Sequence, residues 1–348
     1  MSVTPKQLLT LLAAMIAKRH PLLVTGAPGI GKTDIMTEAT AAAGADLITS
    51  HPVTADPTDA KGLPWPSQGA TEATFLPFGE LAAAVKATRP TVWFLDDLGQ
   101  ATPAVQASFM QLILARRVNG HKLPDCVTFV AATNRRVDRA GVSGILEPVK
   151  SRFVSIVELE PTIDDWCGWA YANGVSSTLI AYLRFKPDML CNFQATADLS
   201  NSPVPRTWAN LAKLESLTLP PAIESEAFTG AVGAGGATEY LSFRTMANSL
   251  INLDGILQSP DTAKIPADPS QLYATAVGLA ARANDQNFAR IVTYANRLYS
   301  EADKGEFAAL LVKDVCRRDN AGDGRIQHTD AFIKLTCGPL GQLLSGKE

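Results

Sequence analysis

Short β-branched and apolar runs alternate with helical patterns over the first 160 residues, and then the alternation stops. The strand-like runs fall at residues 22–25, 46–49, 92–95, 127–131 and 154–159. Such alternation is what an α/β domain with a parallel sheet requires. Residues 8–17 form a largely apolar stretch, with Thr4 and Pro5 placed as an N-cap and a first-turn proline. The stretch ends in Lys18-Arg19-His20 without a small-residue cleavage site, so it reads as a packed helix and not an export signal. From Pro161 onward the pattern is helical, first at 163–173, then 177–184 and 207–217. A polar, proline-containing stretch at 258–269 reads as a linker or exposed loop. Three or four amphipathic helices follow, near 270–283, 286–302, 305–317 and 328–336, while the glycine-rich 232–236 reads as a flexible turn. The expected organisation is an α/β domain over 1–160, a helical region over 161–257 and a C-terminal helical extension over 258–348.

Composition narrows the classes. A chain of 348 residues with 46% hydrophobic content can bury a core in each of about two domains. A net charge of −3 provides no global basic field to attract nucleic acid or anionic lipid. The five cysteines are odd in number, scattered and free of any C-x-x-C, which argues against a disulfide framework or zinc site and suits a reducing cytoplasm. No segment approaches the ~18 uncharged apolar residues of a membrane span.

The densest chemistry lies directly after the first strand run. Gly26-Ala27-Pro28-Gly29-Ile30-Gly31-Lys32-Thr33 fits G-x-x-x-x-G-K-[ST], with an apolar strand before it and a helical pattern after it. A glycine-rich loop in that context points backbone N–H groups inward at a helix N-terminus, a nest for the phosphates of ATP. Lys32 is placed to reach the β- and γ-phosphates, and the Thr33 hydroxyl to ligate Mg²⁺. A second apolar strand run ends in Asp96 and Asp97. In a P-loop ATPase the acid closing such a strand holds Mg²⁺, and the next acid can orient the attacking water. After a helical stretch at 106–114, Asn119-Gly120 between short extended arms predicts a tight hairpin. The following buried strand ends at Asn134, which therefore faces the crevice where open α/β sheets bind ligands.

Taken together, the P-loop, the acid-terminated strand, the Asn-Gly hairpin, Ala131-Ala132-Thr133-Asn134-Arg135 and Ser151-Arg152-Phe153 resemble the AAA+ ATPases. Within them the chain looks most like the MoxR-type branch, some of whose members partner von Willebrand factor A-domain proteins. The resemblance covers about residues 21–210. It implies a homo-oligomeric ring, usually a hexamer, with ATP at subunit interfaces. By the same resemblance Asn134 falls on sensor 1, Arg152 on the arginine finger given to a neighbour, and Arg206 on sensor 2, making 161–257 a lid. The Asn119-Gly120 turn falls on the pre-sensor hairpin and residues 51–64 on the second-helix insert, both pore- or partner-facing elements. In one respect the chain departs from the pattern. Asp97 stands where the family more often has glutamate, one methylene longer, which bears on the rate of turnover. Beyond about Pro220 no family motif is legible.

Two other signals carry less. Residues 319–330 mimic a calcium loop, but Ala321 occupies a ligand position and Asp330 replaces the bidentate glutamate. Arg116, Arg117, His121 and Lys122 form a basic cluster that reads as a solvated hairpin face. The expected function is a cytoplasmic, Mg²⁺-dependent ATPase ring that remodels or activates a protein partner. A nucleic-acid-stimulated motor and a nucleotide-gated scaffold with little turnover are the alternatives.

Overall fold

All five strand-like runs pair into one parallel sheet, joined at its edge by a two-residue strand too short for periodicity to reveal. The structure is a computed structural model describing residues 2–66, 73–138, 144–196, 198–322 and 324–344. The chain divides into an α/β unit, Met1–Thr162 with Phe193–Asp198, and a helical unit, Ile163–Asn192 with Leu199–Glu348. The α/β unit begins with β1 (Ser2–Val3), α1 (Pro5–Lys18), β2 (Leu22–Gly26), α2 (Lys32–Ala42) and β3 (Asp46–Ser50). Next come α3 (Pro57–Lys61), a hairpin of β4 (Leu63–Pro66) and β5 (Ala73–Leu76), α4 (Gly79–Val85) and β6 (Thr91–Leu95). It continues with α5 (Pro103–Ala115), a small hairpin of β7 (Arg117–Val118) and β8 (His121–Lys122), β9 (Val127–Asn134), α6 (Glu147–Lys150) and β10 (Ser155–Leu159). The main sheet runs β1-β10-β2-β9-β6-β3, with every neighbouring pair parallel.

Every residue of β6 and β9 is buried, because helices cover a parallel sheet on both faces. Trp93 of β6 stacks on Phe129 of β9 at 5.2 Å between centroids and meets Phe109 of α5 edge-on at 6.1 Å. Its indole N–H donates to Ser50 Oγ at 2.8 Å, so burial leaves no polar group unpaired there. At the edge, β1 pairs Ser2 with Glu158, and Thr4 and Gln7 form a capping box that starts α1.

The two hairpins are clipped together. His121 Nε2 hydrogen-bonds the Phe75 carbonyl oxygen at 2.6 Å, and Asn119 Nδ2 donates to the Lys61 carbonyl at 2.9 Å. Pro64 and Pro66 have no N–H, so the ladder to β5 takes its β4 donors from the alternate residues and the outer edge of β4 lacks donors. The faces of this clipped pair remain apolar, with Trp65 60% exposed and Leu63 and Leu76 nearly half exposed.

The helical unit comprises α7 (Ile163–Ala172), α8 (Ser177–Phe185), α9 (Pro205–Glu215), α10 (Pro221–Leu250) and α11 (Leu253–Gln258). Its remaining helices are α12 (Pro269–Arg282), α13 (Phe288–Ser300), α14 (Gly305–Ala321), α15 (Asp330–Thr336) and α16 (Pro339–Leu344). The sequence pattern missed the helical segments of α10, because a glycine-rich stretch masks a helix, and also the six-residue α11. The turn expected at 232–236 falls on a kink at Gly233, with φ 77° and ψ 161°, where the two helical segments of α10 join. A Cβ there would lie 2.8 Å from the Asn201 carbonyl oxygen, so only glycine fits. One apolar cluster gathers Tyr182, Trp208, Phe228 and Tyr240, and another Phe288, Tyr294, Leu311 and Val315. Among the described residues, no helix is long and apolar enough to cross a membrane.

A buried ion network ties α7 and α8 to α14. Arg184 donates to Asp314 Oδ1 at 2.6 Å and to Asp164 Oδ1 at 3.2 Å, while the Tyr171 hydroxyl donates to the other Asp314 oxygen. Asp314 is fully buried, and burial pushes its carboxyl and the Tyr171 phenol above their usual ranges. Arg184→Ala should therefore lower unfolding free energy by about 3–5 kcal/mol, because it takes the nearest cation from a buried carboxylate. Arg317→Ala removes a more exposed cation, 2.9 Å from Asp164 and a looser 3.6 Å from Asp314, and should cost about 1 kcal/mol or less. Urea melts of the two variants check this; equal midpoints would contradict it.

Candidate nucleotide site

The P-loop leaves β2 at Gly26 and enters α2 at Lys32. Gly29 and Gly31 take φ of 74° and 93°, the left-handed turns that aim successive N–H groups into a concavity. Gly26 is required for a different reason. A Cβ there would lie 2.9 Å from the Leu159 carbonyl oxygen and 2.6 Å from Ile30 Cδ1. The loop is thus packed against the end of β10 and has no room to relax.

Five of the residues singled out in the sequence meet at the carboxyl edge of the sheet. The Lys32 ammonium donates to the Gly26 carbonyl at 3.0 Å, to the Ala27 carbonyl at 2.9 Å and to Asn134 Oδ1 at 2.8 Å. Asn134 Nδ2 in turn donates to Asp97 Oδ1 at 3.3 Å. Beside this chain the Thr33 hydroxyl donates to Asp96 Oδ2 at 2.8 Å, and Asp96 Oδ1 accepts from the Asp97 backbone N–H at 3.1 Å. Lys32, Asp96 and Asn134 are all buried, where water screens their interactions little. Asp97 sits at φ 57° and ψ 35°, the left-handed region in which Asp and Asn are enriched over longer side chains. The local backbone thus accounts for an aspartate at this position.

These donors suit Mg²⁺ with a polyphosphate. A hydroxyl and a carboxylate already 2.8 Å apart form a hard-oxygen pair, to which Mg²⁺ usually adds waters and phosphate oxygens. The buried Lys32 ammonium donates to two carbonyls and a carboxamide, which hold a positive charge inside the loop where an anion would sit. Among the described residues, no three His, Cys, Asp or Glu side chains gather as a metal cluster. In the calcium-like segment, the Asp319 carboxylate accepts the backbone N–H groups of Ile326 and Gln327, which is turn chemistry; Asp323 lies outside the described residues.

The remaining two positions share none of these hydrogen bonds. Arg152 follows α6, and its guanidinium donates to the Met110 carbonyl at 3.0 Å and to the Pro148 carbonyl. The hydrogen bonds described for it do not join the Lys32–Asn134–Asp97 chain. Arg206 lies on the helical unit, exposed in the first turn of α9. Arg135 and Glu158 had no role in the sequence reading, although Arg135 follows Asn134 directly; only the strand order brings the pair together.

Residues 21–153 match the family described as the AAA domain of the dynein-related subfamily. The α/β unit therefore has the fold of an AAA+ P-loop domain; members of the matched family generally hydrolyse ATP. A search of curated proteins returned no match. Among solved structures, the Thermotoga maritima RuvB Holliday junction branch migration motor is 18% identical, with TM-score 0.38, 79% of this chain covered and 80% of that chain. A putative ATPase from Cytophaga hutchinsonii is 14% identical, with TM-score 0.34, covering 65% of this chain and 80% of that one.

Lys32→Ala should abolish nucleotide binding while leaving the fold intact, since it removes the ammonium that sits inside the loop. Calorimetric titration with Mg·ATP should show no detectable heat of binding in the variant. Affinity equal to the wild type would remove the phosphate site from the P-loop.

Proposed function

We propose that this chain is a Mg²⁺-dependent ATPase of MoxR type that works as a cytoplasmic homo-oligomeric ring, hexameric in size, and remodels or activates a protein partner. A von Willebrand factor A-domain protein is the candidate partner class. The observation that carries the ATPase reading is the unbroken chain Lys32–Asn134–Asp97 beside the Thr33–Asp96 pair. In this reading residues 1–160 form the AAA+ domain, 161–257 the lid bearing Arg206, and 258–348 an extension.

Gly26 to Thr33 hold the phosphates, and Thr33 and Asp96 hold Mg²⁺, which when bound draws negative charge off the phosphate oxygens. Lys32 offsets the charge of the β- and γ-phosphates. Asp97 then orients water and accepts its proton, held in place by the Asn134 amide. Arg152 of the neighbouring subunit neutralises charge that develops on the γ-phosphate, and Arg206 couples lid position to nucleotide state. Catalysis by this set is positioning and electrostatics, with no covalent step by the protein.

The clipped hairpins support a protein partner. Exposed Leu63, Trp65 and Leu76 form an apolar face, and strand addition at the outer edge of β4 is blocked by its prolines. A partner would dock there through side chains, which suits a folded or hydrophobic polypeptide better than a phosphate backbone.

Asp97→Asn should keep Mg·ATP bound but suppress hydrolysis, because the amide is nearly isosteric and a far weaker base. Phosphate release at the wild-type rate would assign the water to another acid.

Arg152→Ala separates a ring from a lone P-loop enzyme. It should bind ATP nearly normally and hydrolyse it poorly, since a finger supplied in trans is worth about 10³–10⁵ in rate in related systems. Mixing it with Lys32→Ala subunits, which keep the arginine, should restore part of the activity. Normal hydrolysis by Arg152→Ala alone would contradict the trans assignment.

A further inference from the structure

We propose that Arg135 is a positioning residue for the nucleotide reaction, acting through Asn134; this rests on the ATPase reading above. Asn134 is the last residue of β9 and pairs in register with Gly26, the first residue of the P-loop. Its carboxamide must hold two groups at once, Lys32 on one side and Asp97 on the other. Whatever fixes the backbone leaving β9 therefore fixes both contacts.

Arg135 does so with all three of its nitrogens. Nε and Nη2 grip the two oxygens of Asp138, each at 2.9 Å, and close the short turn after the strand. The Asp138 backbone N–H returns to the Arg135 carbonyl at 3.2 Å. Nη1 reaches Glu158 Oε1 on β10 at 3.1 Å. Strand β2 lies between β9 and β10, and Glu158 is in register with Thr25, the residue before Gly26. The guanidinium thus spans the carboxyl end of β2, where the P-loop begins, and ties together the two strands that flank it. Asp138 is only 6% exposed, so its fork-to-fork pair with Arg135 is not a loose solvated contact. The geometry needs a planar fork, which an ammonium cannot supply.

A stabilising ion pair with no link to the site would also lose something on mutation, so the test must separate the two. Turnover and ATP affinity are measured for wild type, Arg135→Ala, Arg135→Lys, Asn134→Ala and the Asn134→Ala/Arg135→Ala double variant, with thermal melts alongside. Arg135→Ala should lower kcat about tenfold, the scale of a small misplacement at a reacting centre. KM for ATP should change by less than about threefold. Arg135→Lys should not restore kcat. In the Asn134→Ala background, adding Arg135→Ala should change neither parameter, since residues acting through one another are not additive. Equal losses in both backgrounds, full rescue by lysine, or wild-type kcat in Arg135→Ala would each overturn the proposal. Failure of the ATPase reading looks different: wild-type phosphate release that Lys32→Ala does not alter. In that event the positioning role falls together with the reading on which it rests.

Discussion

One carboxamide, that of Asn134, holds the candidate site together, and it can do so only because two parallel strands end in register. β2 and β9 pair Gly26 with Asn134, while β6 and β9 pair Leu95 with Ala131. Parallel strands deliver their carboxyl ends to one edge of a sheet, so a lysine after β2, acids after β6 and an asparagine ending β9 converge there. A slip of one residue in β9 would turn every side chain to the other face and break both Asn134 contacts. The aromatic packing of Trp93 on Phe129 secures the β6–β9 register from within the core. Core and site are in this sense one construction.

The P-loop, Asp96, Asp97 and Asn134 were legible because each lies at the end of an apolar run, and the end of a buried parallel strand marks the ligand edge. The Arg135–Glu158 pair was not legible. The two residues belong to strands separated in space by β2, and nothing in the local pattern gives that order. Strand β1 was missed because two residues show no periodicity, and the β4–β5 hairpin because Pro64 and Pro66 read as loop. An edge strand tolerates them when their nitrogens face outward. The aspartate at position 97 looked like a departure from a family preference. Its left-handed backbone supplies a local reason for a short side chain there.

In the helical unit, propensity and packing disagree more openly. α10 contains Gly230, Gly233, Gly235 and Gly236, a composition that locally favours a turn; the chain kinks at Gly233, where two helical segments join, while the other three glycines stay helical. Burial of Phe228, Val232 and Tyr240 against the neighbouring helices outweighs the intrinsic cost of the other glycines. The Arg184–Asp314 pair joins residues 130 positions apart, and dispersed charges of that kind look solvated until the helices are packed.

The central claim is that this cluster hydrolyses ATP with Mg²⁺ held by Thr33 and Asp96. Steady-state release of inorganic phosphate by the purified wild-type chain, with Mg·ATP and again with a chelator in excess, tests it most directly. The account predicts turnover above the protein-free control that the chelator abolishes. Phosphate release that is absent across protein concentrations, or that continues unchanged without Mg²⁺, would contradict it.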